Sequence, residues 1–252
     1  MNLFLEAIAW LTDPENWGTT GPLPGWIAEH LAYTAIAMLL ASLIAIPLGW
    51  FIGHTGRGRD AAVAITGAAR ALPSFGLLYL FVMLGGVSNR DASAIVVLAL
   101  LAIPPILAGA YAGFEAIDRR VIDAARSMGM TEKQIVARVE IPLGLPLLWG
   151  GLRNAVLQVV ATVVLVGFVR NAGLGFPIVQ GIQIRSYDQM LGAAILIIIL
   201  ALLLDAAFAL LERYATPAGV RAGRTRNHRT SSTRRRAAGG ASPASTKKEK
   251  SV

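Results

Sequence analysis

Five long apolar stretches limit what this chain folds into more than any other feature. A helix needs about 20 residues to cross roughly 30 Å of hydrocarbon, and each stretch provides that length with almost no charge. The five predicted spans are about 31–53, 61–86, 92–114, 143–169 and 191–211. Each must be helical, because lipid offers no hydrogen-bond partner to a backbone group. The sequence therefore predicts an all-α polytopic membrane protein with five core transmembrane helices.

Prolines predicted to kink a membrane helix fall inside the first three spans. A proline in a helix removes a backbone donor and frees a carbonyl, so we expect kinks where neighbouring helices cover the freed groups. The prolines concerned are Pro47, Pro73, Pro104 and Pro105.

Lysine and arginine are distributed unequally among the connections between spans. Of the 23 basic residues, eighteen lie in connections that fall on one side of the membrane, and only Arg90, Arg170 and Arg185 lie on the other. Positively charged connections stay in the cytoplasm. The bias predicts an amino terminus outside the cytoplasm and a carboxyl terminus inside it.

Composition divides the chain into three regions. Residues 1–25 are predicted to be an extracytoplasmic segment with a short interfacial helix at 3–11, and residues 26–212 hold the spans. Residues 213–252 carry eleven basic residues among Ser, Gly and Ala, which accounts for most of the net charge of +8. This last region has too few large apolar residues to bury a core. It is predicted to be a disordered cytoplasmic tail whose charges are available to membrane lipid.

Several kinds of chemistry are excluded by what the sequence lacks. There is no cysteine, and the three histidines, His30, His54 and His228, have no metal-binding spacing. The run GHTGRGRD at 53–60 lacks the spacing and the flanking strand of a phosphate-binding loop, so any ATP must be bound by another chain. No aromatic residue interleaves the basic tail, which argues against a nucleic-acid partner.

A polar connection, residues 115–142, separates the third and fourth spans, and its first half predicts a short helix. Four apolar residues recur there at helical spacing, which indicates one apolar face. They are Val121, Ile122, Ala125 and Met128. Gly129 then ends the helix, because glycine accepts the left-handed conformation found at helix ends.

The second half of the connection predicts another helix. Thr131 and Gln134 fit a capping box, in which the threonine hydroxyl accepts a backbone N–H and the glutamine reaches back. Its apolar face consists of Ile135, Val136 and Val139. Pro142 and Pro146 are predicted to break this helix before the fourth span. Residues 115–142 thus form a cytoplasmic helix-turn-helix, called the elbow below.

Polar side chains inside the spans suggest a translocation path. Ionisable groups at membrane depth cost about 2.5–3.5 kcal/mol and should face protein or water. The residues predicted to line the path are Arg70, Pro73 and Ser74 in the second span and Arg153, Asn154 and Gln158 in the fourth. The alternative is structural: the same residues could form hydrogen bonds between helices, and the arginines could extend to the membrane surface. If Arg70 or Arg153 lines the path, we expect a carboxylate nearby; Asp205 is the one intramembrane acid.

An aromatic cage, the usual site for a quaternary ammonium group, is not evident in the spacing of the aromatic residues. Those within the spans are scattered along the chain: Tyr33, Trp50, Phe51, Phe75, Tyr79, Phe81, Tyr111, Trp149 and Phe168.

The elbow resembles the EAA loop of permease subunits of type I bacterial ABC importers. The pattern is carried by Asp-Ala-Ala at 123–125, Gly129, and IPLGLP at 141–146. The family usually has glutamate where this chain has Asp123. The resemblance implies a MetI-like type I ABC permease fold and a coupling role for Asp123, Ala124, Ala125, Gly129, Thr131, Glu132, Gln134, Ile135 and Pro142.

Two further segments resemble the permeases of osmoprotectant importers, which carry glycine betaine, carnitine, choline or proline. They are RALPSFGLLYLFVMLGG at 70–86 and RNAGLGFPIVQGIQIRSYDQMLGAAI at 170–195. The resemblance implies a subunit of the bacterial cell membrane without an ATPase site or cofactor of its own. It implies three partners: a cytoplasmic ATPase subunit, a second permease subunit, identical or different, and an extracytoplasmic substrate-binding protein.

Three alternatives stay open at this stage. Importers of methionine, phosphonate or sulfonate share the EAA loop. A secondary transporter would need more spans and internal repeats, and a membrane-embedded enzyme would need clustered catalytic groups that the spans lack.

Overall fold

A computed structural model describes residues 2–18 and 21–215 of the 252-residue chain. All regular structure within those residues is helical. The α-helices are α1 Leu3–Thr12, α2 Pro14–Trp17, α3 Pro22–Thr55, α4 Arg59–Arg70, α5 Ser74–Gly85, α6 Arg90–Glu115, α7 Arg119–Ser127, α8 Glu132–Ile135, α9 Ile141–Val163, α10 Gly175–Ile184 and α11 Tyr187–Ala215. Helix α11 extends into the predicted tail of 213–252, and the rest of that tail lies outside the described residues.

Four helical stretches of the described residues are long and apolar enough to cross a membrane. They are Pro22–Thr55, Val87–Glu115, Glu132–Phe168 and Tyr187–Tyr214. The prediction of one helix over 61–86 is wrong, because the chain leaves the helix between α4 and α5. At 12 residues, each of these is about 18 Å long, too short to cross alone.

Pro73 accounts for this break. Its backbone is extended, at φ −69° and ψ 104°, and a proline also drives the residue before it out of the helical region. The other prolines of the predicted spans behave differently. Pro47 lies inside α3, and Pro104 and Pro105 lie inside α6, with no interruption of either helix.

Helix α6 lies at the centre of the bundle, packed against α3 on one side and α9 on the other. Glycines bring α6 and α9 close together. A methyl group added to Gly151 would lie 2.7 Å from the Pro105 carbonyl oxygen, and one added to Gly113 would lie 2.6 Å from that of Gly144. Small residues at such crossings let helix backbones approach closely in membranes.

Replacing Gly151 by alanine is expected to destabilise the bundle by about 1–3 kcal/mol, since the added methyl overlaps the α6 backbone. The neighbouring Gly150 has open space where a methyl group would lie. Gly150→Ala is therefore the matched control, and alanine's higher helix propensity should make it neutral or slightly stabilising. Thermal unfolding in detergent measures both variants. Equal melting temperatures would contradict the close crossing.

The segment between α9 and α10 is fixed to the start of α3. The His30 side chain is fully buried; its Nε2 lies 3.0 Å from the Val160 carbonyl oxygen, and its Nδ1 accepts the Leu174 N–H at 3.3 Å. Glu29 accepts the Gly173 N–H at 2.8 Å. These bonds fix the chain at the end of α9 that is remote from the elbow, called the far end below.

Candidate functional site

The first helix of the elbow, α7, ends in the geometry that Gly129 predicts. Gly129 has a φ of +83°, and its N–H donates to the Arg126 carbonyl at 2.9 Å. The Met130 N–H donates to the Ala125 carbonyl at 3.2 Å. This pair of bonds is a Schellman motif, so the turn depends on the left-handed conformation of one glycine.

The predicted capping box at the start of α8 is confirmed. The Gln134 N–H donates to the Thr131 hydroxyl at 3.4 Å, and the Thr131 N–H donates to the Gln134 side-chain oxygen at 2.9 Å. Two backbone donors that helix formation leaves free are thus satisfied. The Schellman turn and the capping box together fix the angle between α7 and α8.

The elbow has a small hydrophobic core of its own. Its buried members are Ile122, Ala125 and Ile135, and its partly buried members are Ile117, Met130 and Val139. The prediction that Val121 and Met128 share this apolar face is wrong. They are 43% and 76% exposed, because the short α7 turns only Ile122 and Ala125 toward α8.

The predicted break at Pro142 and Pro146 is also wrong, since one helical stretch continues through Glu132–Phe168. A π-helical turn at Val136–Glu140 comes just before Pro142, and the Ile141 N–H donates to the carbonyl of Val136, five residues earlier. Proline disrupts a helix through its missing donor and its collision with the carbonyl four residues earlier. The wider turn relieves both effects, so the elbow joins α9 directly.

A chain of polar contacts connects the elbow to α3. The His54 Nδ1–H donates to Glu140 at 2.7 Å, and the His54 Nε2 lies 3.5 Å from Glu132. Glu132 in turn accepts two bonds from Arg126, at 2.7 and 3.1 Å, and these bonds raise the pKa of the Arg126 guanidinium. Glu140 is only 2% exposed. Its bond to His54 is therefore the main polar anchor of the elbow on the bundle, called the tether below.

The tether does not make a metal site. Within 2–18 and 21–215, no group of three or more His, Asp or Glu side chains is arranged to hold a metal ion.

Most of the residues predicted to contact an ATPase lie on the surface of the elbow. The exposed ones are Asp123, Ala124, Gly129, Thr131, Glu132 and Gln134. Ala125 and Ile135 are instead buried in the elbow core, and Pro142 is half-buried in the helix. With the apolar side chains of Val121 and Met128, the exposed residues form a surface that mixes small, apolar and charged groups.

The polar residues predicted for the path separate into two groups. Arg153 faces α11 and forms a two-pronged ion pair with Asp205, at 2.5 and 2.6 Å. Asn154 and Gln158 lie on an exposed side of α9, where Gln158 donates to the Leu101 carbonyl at 3.2 Å. The carboxylate expected beside Arg153 is thus Asp205. The charge of Arg153 is therefore compensated by Asp205, and its presence in the span does not require a water-filled path beside it.

The second-span residues of the predicted path lie at the break between α4 and α5. Pro73 is exposed there, and Ser74 lies beside it, partly buried, at the start of α5. The backbone of Arg70 ends α4, and its side chain is not among those that the structure describes. Neither Pro73 nor Ser74 forms a polar contact with Asn154 or Gln158 in the described part of the chain.

Residues 45–217 match a family described as "Binding-protein-dependent transport system inner membrane component". The chain belongs to this family. As a member with several long apolar helices, it is a multi-pass protein of the bacterial cell membrane.

Individual relatives agree with this membership. The chain is 31% identical to the choline transport system permease protein OpuBB of Bacillus subtilis over 192 residues, which cover 76% of this chain and 88% of the relative. It is 30% identical to the osmoprotectant import permease protein OsmW of Salmonella typhimurium over 207 residues, covering 80% and 95%. A solved structure of the MetNI methionine ABC transporter, facing inward, superposes with a TM-score of 0.70 at 25% identity, covering 82% and 100%.

Sequence reasoning missed the two residues that attach the elbow to this permease. In the sequence, His54 is considered only as a potential metal ligand. Glu140 is one of several charged residues in a polar connection. They are 86 positions apart, so no spacing pattern links them. A single acid directly before an apolar span is the one available signal, because a carboxylate there needs a partner.

Proposed function

We propose that this chain is the permease subunit of an ATP-driven importer of an osmoprotectant such as glycine betaine, carnitine, choline or proline. It pairs with a second permease, identical or different, to enclose the path. A cytoplasmic ATPase subunit binds and hydrolyses ATP, so this chain needs no cofactor and is not an enzyme. A separate binding protein outside the cytoplasm delivers the solute.

The observation that carries the proposal is the construction of the elbow. Its turn and caps are fixed internally, its Asp123–Gln134 surface is exposed, and it continues into α9 without a break. A rigid, exposed element joined directly to a membrane helix suits the transfer of motion from a docked ATPase to the bundle. This role does not require catalytic groups in the elbow.

The names of the relatives support the solute class. They include a choline permease, a glycine betaine/carnitine/choline permease and an osmoprotectant import permease. The alternative is another small solute, such as methionine, phosphonate or sulfonate, and the solved structure of a methionine transporter favours methionine within that group.

The exposed side of α9 supports a path at the contact with a second permease. Asn154 and Gln158 expose amide groups within a largely apolar span. Contact of amides with lipid is unfavourable, so this side should face water or another protein. Asn154 and Gln158 are accordingly proposed to line the path, with Pro73 and Ser74 beside the break. Arg153 is assigned to its ion pair.

Replacement of Gly129 by valine is expected to uncouple ATP hydrolysis from uptake while leaving membrane insertion intact. A β-branched residue is strongly disfavoured at a φ of +83°, so the Schellman turn should open and reorient α8. Uptake into proteoliposomes containing the complete transporter should fall by about tenfold or more, given the cost of that conformation. ATP hydrolysis and co-purification of the ATPase are measured on the same preparations.

Gly129→Asn is the matched control, because asparagine adopts the left-handed conformation more readily than other residues. It should retain most of the uptake. Normal uptake by the valine variant would contradict the docking role. Uptake without any ATPase or ATP would instead identify a secondary transporter.

A further inference from the structure

Three aromatic side chains meet at the far end of the bundle. The Phe75 ring lies 4.8 Å from the Tyr79 ring and 5.3 Å from the Phe168 ring, measured between centroids, with interplanar angles of 63° and 85°. The Tyr79 hydroxyl donates to the Phe168 carbonyl at 3.5 Å. These three residues, called the aromatic cluster, join α5 to the end of the helical stretch Glu132–Phe168. The spacing of the aromatic residues in the sequence does not indicate this cluster, because Phe168 lies far along the chain from Phe75 and Tyr79.

The cluster is not a buried core. Phe75, Tyr79 and Phe168 are 43%, 40% and 38% exposed, although each ring touches another. Between them on α5, Leu78 is only 3% exposed and supplies the packing against the bundle. The rings therefore have free surface directed away from the protein interior.

The free surface lies on the side assigned to the path. Phe168 ends the helical stretch that also carries Asn154 and Gln158, and all three are exposed, whereas Val159 and Val163 between them are fully buried. Rings and amides on one exposed side are suited to a passage that holds both water and a solute.

Phe168 is also open to a polar cavity of about 410 Å³. Its charged lining groups are Arg90, Arg170 and Asp91. The Asp91 carboxylate is already engaged, since it accepts the Tyr33 hydroxyl at 2.7 Å and pairs with Arg170. The unbalanced charge of the cavity is thus positive. Such a lining attracts a carboxylate and repels a cation, so a quaternary ammonium group needs another kind of partner nearby.

The faces of aromatic rings can bind a quaternary ammonium group. The negative face of a ring attracts a cation within about 6 Å of its centroid, and quaternary ammonium groups are bound in this way by sets of rings. We infer that Phe75, Tyr79 and Phe168 form a binding site for the quaternary ammonium group of a solute at the far end of the path. The solute's carboxylate, where it has one, lies toward the arginine-lined cavity. This inference rests on the proposed function for its solute class.

The test uses the complete transporter in proteoliposomes and measures uptake of labelled choline and glycine betaine. Phe168→Leu and Phe75→Leu should each lower uptake of both solutes about fivefold, as expected for the loss of one cation–π contact. Phe168→Tyr keeps an aromatic face and should keep uptake within about twofold. Phe51→Leu is the matched control, because Phe51 is 57% exposed on α3 and lies outside the cluster.

A second series separates ring electrostatics from packing. Fluorinated phenylalanines at position 168 change the ring's volume little but weaken its negative face. Choline uptake should fall stepwise with each added fluorine, while co-purification of the ATPase stays constant. Uptake by Phe168→Leu equal to that by Phe51→Leu, or no response to fluorination, would overturn the aromatic site alone. Absence of choline and glycine betaine uptake by the unmodified transporter would overturn the proposed solute class and this inference with it.

Discussion

Replacement of His54 by alanine is expected to release the elbow from α3 and to reduce ATP-driven uptake by about tenfold or more. The reason is the carboxylate of Glu140, which is 2% exposed and bonded to His54 at 2.7 Å. Removing the hydrogen-bond partner of a buried polar group costs about 1–3 kcal/mol, and more for a carboxylate, because that group is left without compensation. The elbow should relieve this cost by moving away from the bundle, which disconnects the docking surface from α3.

The measurement is uptake per ATP hydrolysed in proteoliposomes, with ATPase co-purification as the check on assembly. Glu140→Gln should be milder than His54→Ala, since the amide oxygen still accepts the histidine N–H. Glu115→Gln is the matched control. Its carboxylate also joins two helices at this end of the bundle, pairing with Arg59 at 2.8 Å, but both side chains are largely exposed, and such pairs contribute about 0–1 kcal/mol. If His54→Ala behaved like Glu115→Gln, the tether would have no part in coupling.

Replacement of Arg153 by leucine is expected to produce the largest loss of stability. The arginine and Asp205 hold each other through two short bonds between α9 and α11. An aspartate left without its partner inside a membrane helix is unfavourable. The melting temperature of the variant, measured in detergent, should therefore fall clearly below that of the unmodified protein.

The double variant Arg153→Leu with Asp205→Leu tests the cause. Removing both charges leaves no unpaired charge in the membrane. Two apolar side chains also suit the contact between α9 and α11, so most of the stability should return. Uptake should return as well, because the pair holds helices together rather than contacting the solute. A double variant as unstable as the single one would show that the arginine acts through contacts other than Asp205.

The elbow could be predicted from the sequence in detail because its structure is local. A capping box needs residues three apart, and a helix-ending glycine acts within two or three positions. The local structure around Thr131, Gln134 and Gly129 can therefore be predicted from neighbouring residues alone. The wrong prediction of a break at Pro142 also comes from local reasoning. The rule that proline interrupts an α-helix takes no account of a preceding π-helical turn, which accommodates the proline here.

Contacts between distant parts of the chain could not be predicted in this way. The tether joins residues 86 positions apart, the ion pair of Arg153 joins residues 52 apart, and Tyr79 meets Phe168 across 89. Each side chain is visible in the sequence as an unusual polar or aromatic group. Its partner depends on which helices pack together, and glycine-lined crossings such as Gly109 with Gly151 determine that packing.

The unbroken helical stretch Glu132–Phe168 has a mechanical consequence. Its 37 residues make a rod about 55 Å long at roughly 1.5 Å per residue. A tilt of about 5° at the elbow would displace the other end of a rod of that length by about 5 Å, slightly more than the width of a methyl group. A small rotation imposed at Glu132 therefore suffices to move Phe168 relative to Phe75. Such a rotation would widen or narrow the gap between the two rings.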